Sequence, residues 1–125
     1  MQEKKTILVV EDELLLLQNI VSILEFNGFN TLKASNAMDA ISLAKNNIPH
    51  LILSDVMMEK VDGFELLRMI KDNESTKNIP FIFLSALADI ADKNKGISAG
   101  ANTYLTKPFS GKELIKTINQ YLVND

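Results

Sequence analysis

Leu51-Ile52-Leu53-Ser54-Asp55 is a short apolar run that ends in a carboxylate, and the loop Val56-Met57-Met58-Glu59-Lys60-Val61-Asp62-Gly63 follows it directly. Three further runs end in a similar way. Ile7-Leu8-Val9-Val10 meets Glu11-Asp12, Phe81-Ile82-Phe83-Leu84 meets Ser85, and Tyr104-Leu105-Thr106 meets Lys107-Pro108. Runs of this length, rich in Ile, Val, Leu and Phe, read as strands buried on both faces, the habit of parallel sheets. As parallel neighbours they would bring three carboxylates, a hydroxyl and an ammonium to one edge of one sheet.

Longer stretches of helical period separate the runs, and the alternation predicts βαβ units. Strands are expected near 6–10, 30–34, 50–54, 80–84 and 102–105, and helices near 13–26, 37–46, 63–73, 88–98 and 111–122. Boundary chemistry agrees. Asn27-Gly28 can stop the first helix, because Gly reaches the left-handed conformation without penalty. Asn36 can cap the second helix, and Ser110 with Glu113 forms a capping box for the last. In that helix Leu114, Ile115, Ile118 and Leu122 share one stripe while Lys112, Lys116 and Asn119 face out. Pro80 opens a strand, where its missing N–H matters little.

Five right-handed βα units predict an α/β fold: a doubly wound five-stranded parallel sheet of order 2-1-3-4-5, the flavodoxin-like (βα)5 arrangement. Ligands of such sheets sit beyond the carboxyl ends of the strands, at the switch point between strands 1 and 3. Glu11-Asp12 and Asp55 close those two strands. Strand 2 lies outside the switch, and its end, Lys33-Ala34-Ser35, carries no matching acid.

The chain has 125 residues, which predicts a single domain over 1–125 with its core at about 6–122. Apolar residues make up 46% and the net charge is −3, so nothing draws it to nucleic acid or to an anionic membrane. The absence of cysteine excludes thiol chemistry, and one histidine, His50, excludes any site needing two imidazoles. No apolar run approaches the roughly 20 residues of a membrane span. The start, Met1-Gln2-Glu3-Lys4-Lys5-Thr6, lacks a signal-peptide core, so a cytoplasmic protein with no membrane insertion is expected.

Three carboxylates side by side repel one another, and at least one should have a raised pKa unless a cation sits among them. A cluster with only oxygen donors suits a hard divalent ion. Mg²⁺ fits well, because it takes one or two carboxylates and keeps several waters for a substrate to displace. Metal alone leaves Ser85 and Lys107 unexplained, whereas a phosphoryl group uses both. Its oxygens would be shared among ion, hydroxyl and ammonium, leaving a carboxylate as in-line nucleophile. Asp55 is the best candidate: it is central, and aspartate can form an acyl phosphate.

Ile7-Leu8-Val9-Val10-Glu11-Asp12-Glu13, Leu51–Met58, Asp62-Gly63, Phe83-Leu84-Ser85-Ala86 and Ala99–Phe109 together resemble the response regulator receiver domains of two-component signalling. Each motif is weak alone, but five in order at the family's spacing are specific, and they cover residues 6–122. The resemblance implies that Glu11 and Asp12 bind Mg²⁺, that Asp55 is the phosphoacceptor, and that the Met57 backbone carbonyl completes the metal site. It implies that Ser85 moves toward the phosphate, that Tyr104 turns inward behind it, and that Lys107 pairs with the phosphate. Lys107-Pro108 is then expected to be cis. A sensor histidine kinase or histidine phosphotransfer protein would supply the phosphoryl group in a phosphorelay. A downstream partner would read helix 4, strand 5 and helix 5, residues 87–105 and 110–122, with no direct nucleic-acid contact. Such a domain is not an enzyme beyond self-catalysed phosphotransfer and autodephosphorylation.

Taken singly, these residues have plain readings. Glu11-Asp12 could cap a helix, Lys107 could be a solvated lysine, Ser85 a turn residue and Tyr104 a strand aromatic. Only the set lifts them. His50 receives no role, Met57 and Met58 warrant no soft-metal site, and Lys93, Lys95, Lys112 and Lys116 read as a solvated face. Three positions depart from the family pattern: Glu59 stands where proline is usual, Leu87 where a polar side chain is common, and Met57 is likewise apolar two residues after Asp55. Leu87 and Met57 flank the path of water to an acyl phosphate and cannot orient it. A long-lived phosphorylated state is therefore expected; an unchanged dephosphorylation rate in Leu87→Glu or Met57→Asn would sink the idea.

Two rival classes remain at this stage. An aspartyl-phosphate phosphatase would carry a second aspartate where Met57 stands. A phosphorylation-independent docking module would not need the set Glu11, Asp12, Asp55, Ser85 and Lys107. No DNA-binding, cyclase or kinase segment follows Asp125 in this sequence, so the output is expected to lie in a partner or in a larger protein.

Overall fold

The computed structural model describes residues 4–58, 61–86 and 90–122, without the side chains of 90–93 and 96. Glu59, Leu87 and the Lys93 side chain therefore lie outside the described residues. The strands are β1 (Thr6–Val10), β2 (Asn30–Ala34), β3 (Leu51–Asp55), β4 (Phe81–Ser85) and β5 (Thr103–Thr106). The helices are α1 (Leu14–Phe26), α2 (Ala37–Asn47), α3 (Gly63–Lys71), α4 (Ile90–Ala99) and α5 (Gly111–Tyr121). All strand pairs are parallel, and the order is β2-β1-β3-β4-β5. The expected doubly wound (βα)5 fold is the one observed.

Period-two alternation sorts the strand residues between two cores. Leu8, Val10, Ile52, Phe81 and Phe83 face α2 and α3, meeting Ala40, Ala44, Leu66, Leu67 and Ile70. Ile7, Val9, Leu51, Leu53, Ile82 and Leu84 face α1 and α5, meeting Ile20, Leu24, Leu114 and Ile118. Every residue of β3 and β4 is buried, which explains why their sequences do not alternate with polar residues.

The caps follow the sequence. Asn36 accepts from the Asp39 N–H, and Ser110 and Glu113 form the reciprocal box. At the end of α1, the Gly28 N–H donates to Glu25 and the Phe29 N–H to Leu24, with Gly28 at φ 90°. This is the Schellman pattern the Asn27-Gly28 pair predicts.

Strand boundaries differ from expectation by one residue. β4 starts at Phe81, because Pro80 has no N–H to pair and contributes only its carbonyl, to Ile52. β5 starts at Thr103, because the Asn102 side chain accepts from the Phe81 N–H and clamps the entry. β3 and β4 each run one residue further, so Asp55 and Ser85 are strand residues rather than the first loop residues. α3 stops at Lys71, two residues early, where the Asn73–Lys77 turn takes over. The start of α4 expected at 88 falls outside the described residues.

Candidate phosphoacceptor site

The switch point is populated as the topology requires. Glu11 directly follows β1, its N–H donating to the Ala34 carbonyl at 3.0 Å, and Asp55 ends β3 beside it. Carboxylate oxygens of Glu11, Asp12 and Asp55 lie within 4.8 Å of one another. Glu11 is 1% exposed and Asp55 7%, while Asp12 lies nearer solvent.

Lys107 brings the cation. Its backbone N–H donates to the Ser85 carbonyl at 2.8 Å, fixing the chain as it leaves β5. Its ammonium then reaches across the sheet edge to Glu11 Oε1 at 3.0 Å and Asp55 Oδ1 at 3.5 Å. The Lys107-Pro108 bond is cis, as expected. Ser85 is buried at the end of β4, paired in register with Thr106. Tyr104 is half-buried, with its ring centroid 5.2 Å from that of Phe83. Phe83 in turn meets Phe64 and Phe81, each at 5.1 Å, so one aromatic row links β5 to α3. The Met57 side chain is exposed.

Electrostatics follow from burial first. The Glu11 carboxyl is raised above its usual 4.5, chiefly because burial disfavours its charge. The Asp55 charge pushes the same way, and hydrogen bonds from the Glu13 backbone and Lys107 oppose both. Like-charge repulsion is therefore a smaller cause than burial at Glu11. Burial would lower Lys107, but its hydrogen bond to Glu11 and the two carboxylate charges outweigh that and leave it raised above 10.5.

Residue-by-residue reading of the sequence missed three supports. Gly63 lies against the phosphoacceptor backbone: its N–H donates to the Val56 carbonyl at 2.8 Å, and a Cβ would lie 2.3 Å from the Asp55 carbonyl oxygen. Asp62-Gly63 entered the sequence reading only as a resembling motif, and a Gly opening a helix eight residues after the end of β3 was the other signal. The Glu13 N–H donates to Glu11 Oε2 at 3.2 Å and orients that carboxylate. Ser54 Oγ donates to the Asp55 carbonyl at 2.9 Å. His50, given no role, does structural work: Nδ1 accepts from the Thr6 N–H at 2.9 Å, and its own N–H donates to the Thr6 carbonyl.

An all-oxygen cluster with a lysine across it can hold a hard cation and an anionic ligand together. Comparison with known proteins gives the same picture. The probable transcriptional regulator ycf29 of Pyropia yezoensis is 39% identical over 119 residues, 95% of this chain and 54% of that one. The chain thus spans about half the length of that relative. The polar-differentiation response regulator DivK of Brucella anthropi is 32% identical, covering 94% of this chain and 96% of its own. Among solved structures, the receiver domain of sensor histidine kinase PA1611 from Pseudomonas aeruginosa PAO1 superposes with a TM-score of 0.88 at 28% identity, over 95% and 98% of the two chains. That structure has a magnesium ion coordinated in its active-site cleft. The profile of the response regulator receiver domain matches residues 7–119, and with these relatives it establishes that this chain belongs to that family.

Proposed function

We propose that the domain accepts a phosphoryl group on Asp55 from the phosphohistidine of a sensor histidine kinase or a histidine phosphotransfer protein. The observation that carries this reading is the Lys107 ammonium held between Glu11 and Asp55 at the switch point. The carboxylate of Asp55 attacks phosphorus in line, the P–N bond breaks, and its electron pair stays on the leaving imidazole. Lys107 neutralises charge on the transferred group. Ser85, at the end of the adjacent strand, supplies a hydroxyl to a phosphate oxygen.

Glu11, Asp12, Asp55 and the Met57 carbonyl would hold Mg²⁺, which when bound neutralises the phosphoryl oxygens. The fit of the donor set supports this choice: the three carboxylates are hard oxygen ligands close enough to share one ion. Glu11 is oriented by the Glu13 backbone N–H and by Lys107 before any ligand arrives.

Phosphorylation then biases an existing equilibrium between two surfaces. Ser85 and Tyr104 are placed to relay it: Ser85 N-terminally neighbours the loop into α4, and Tyr104 packs on Phe83. The responding face is α4, β5 and α5, and a downstream protein partner binds there. Chemistry beyond self-catalysed phosphotransfer and autodephosphorylation is not proposed, since Met57 occupies the place where a phosphatase would need its acid. Among the described residues no helix is long and apolar enough to cross a membrane. A cytoplasmic site of action accords with the proposed kinase partner.

The test is incubation with Mg²⁺ and a small-molecule phosphodonor, followed by intact mass. A phosphate-sized gain that disappears in Asp55→Asn is expected. No gain in the wild type, or a gain retained in Asp55→Asn, would overturn the assignment.

A further inference from the structure

α4 has little in its described sequence to hold it down. Gly96 stands in its interior, where glycine weakens a helix, and its described side chains, 94, 95 and 97–99, are all exposed. Its C-terminal end is nonetheless seated. Gly100, at φ 116°, lies against the Lys71 side chain of α3, where a Cβ would stand 3.2 Å from Lys71 Cε. The Lys71 ammonium is fixed in turn, donating to the Lys77 carbonyl at 2.9 Å and the Ile79 carbonyl at 3.4 Å. One turn back from Ala99, the Lys95 ammonium lies over the Phe64 ring of α3, 4.4 Å from its centroid.

The neighbouring charges explain why this ammonium rests on a ring. A groove of about 440 Å³ between α3 and α4 is lined by Lys95 and by three carboxylates, Asp62, Glu65 and Asp72. Arg68 pairs with Glu65 and Asp72, and the Asp62 carboxylate accepts the Glu65 N–H as the α3 cap. Lys95 has no ion-pair partner among the described residues, and the negative face of Phe64 takes that place. Phe64 is held from two sides. Its backbone continues from Gly63, which has no room to move against the Asp55 carbonyl, and its ring packs on Phe83, which packs on Tyr104. α4 is attached differently, through the loop that leaves Ser85. A pull on Ser85 therefore shifts Lys95 while the Phe64 backbone stays with the phosphoacceptor, and the cation–π attraction fades beyond about 6 Å.

We propose that the Lys95–Phe64 contact is a clasp that holds α4 on α3, favours the unphosphorylated surface and opens on phosphorylation, an inference that rests on Asp55 as the phosphoacceptor. Lys95, which reads as a solvated lysine in the sequence, thereby sets the resting equilibrium. Opening also frees the α3–α4 groove, so the response extends beyond the α4-β5-α5 face. Because coupling between two sites is reciprocal, loosening the clasp tightens the binding of a phosphoryl group or its analogue by the same factor.

The experiment follows the Lys95 methylene protons of the full chain by NMR, with Mg²⁺ and beryllofluoride, an acyl-phosphate analogue, as the ligand. Without ligand, the Phe64 ring current should shift these protons upfield, and the shift should vanish in Phe64→Leu. Saturating beryllofluoride should return them toward the positions of a free lysine. Lys95→Gln should tighten beryllofluoride binding about two- to fivefold, the weight of one exposed cation–π contact. Lys95→Arg keeps a cation on the ring and should bind as the wild type does. The double variant Lys95→Gln/Phe64→Leu should bind no tighter than Lys95→Gln, since either change removes the same contact. Protons that are never shifted, a shift that persists in the beryllofluoride-bound protein, or an affinity unmoved by Lys95→Gln would overturn the clasp. A protein that shows the upfield shift yet never binds beryllofluoride would overturn the role of Asp55, and the opening of the clasp with it.

Discussion

Gly63 shows how closely the phosphoacceptor is held by backbone alone. Positions 2.3 Å from the Asp55 carbonyl, 2.8 Å from the Phe83 ring and 2.9 Å from the Val56 Cα leave no space for a methyl group. Gly63→Ala must displace the end of β3 or the start of α3, and destabilisation of about 1–3 kcal/mol is expected by urea unfolding. Phosphorylation should slow as well, because Asp55 moves with its carbonyl. Glu11 makes a second case at this scale. Its carboxyl is raised above 4.5 by burial, so its contribution to stability is fully present below the unfolded value and is lost as pH rises through the folded value. Mg²⁺ needs the ionised form, so acidification should release the ion at a higher pH than ordinary carboxylates would allow. Calorimetric titration with Mg²⁺ at successively lower pH should show affinity falling as the Glu11 carboxyl takes up its proton. The same pH dependence in Glu11→Gln would show that Glu11 does not take part. The sequence announced that Glu11, Asp12 and Asp55 would meet, but not that burial would outrank repulsion at Glu11. That ranking depends on how deeply the assembled sheet edge buries this one carboxylate, which no local stretch of sequence states.

Among the elements, the strands were legible because each is a short run of large apolar residues buried on both faces. The helix ends were legible where a cap is written locally, as at Asn36 and Ser110. The end of α2 was less so. Its C-cap is Ile48 at φ 44°, ψ 70°, a left-handed conformation that glycine or asparagine normally fills. A β-branched residue there is strained, and Ile48 is 46% exposed, so its side chain recovers only part of the penalty by burial. The following Pro49 further disfavours ordinary helical geometry at this residue. The left-handed strain of about 1–2 kcal/mol exceeds the extra unfolded-state entropy of glycine. Ile48→Gly should therefore stabilise the protein by about 0.5–1 kcal/mol, read as a higher urea midpoint at unchanged slope. A lower midpoint would mean that Ile48 packing outweighs its backbone strain. Pattern reading could not place this residue, since only the route from α2 into β3 demands the positive φ.

For the molecule as a whole, parallel topology places acid from β1 and β3 and base from β5 on one edge, and this arrangement opposes stability. Two buried carboxylates, Glu11 and Asp55, share the Lys107 ammonium, and Asp12 has a carboxylate oxygen within 4.8 Å of both. A charge buried with incomplete compensation costs free energy that a fold kept only for stability would discard. The topology that made the site legible from strand ends alone is thus the source of its strain. Asp55→Asn removes a like charge from Glu11 while Lys107 keeps its shorter contact, at 3.0 Å. In metal-free buffer this variant should be more stable than the wild type by about 1 kcal/mol, or about 2–6 °C in Tm. Saturating Mg²⁺ should then raise the Tm of the wild type more than that of Asp55→Asn, because binding to the native state stabilises in proportion to affinity. Thermal unfolding by circular dichroism with and without Mg²⁺ gives all four values. A variant less stable than the wild type without metal would show that Asp55 is structurally compensated by Lys107, and that the acidic edge carries no such tension.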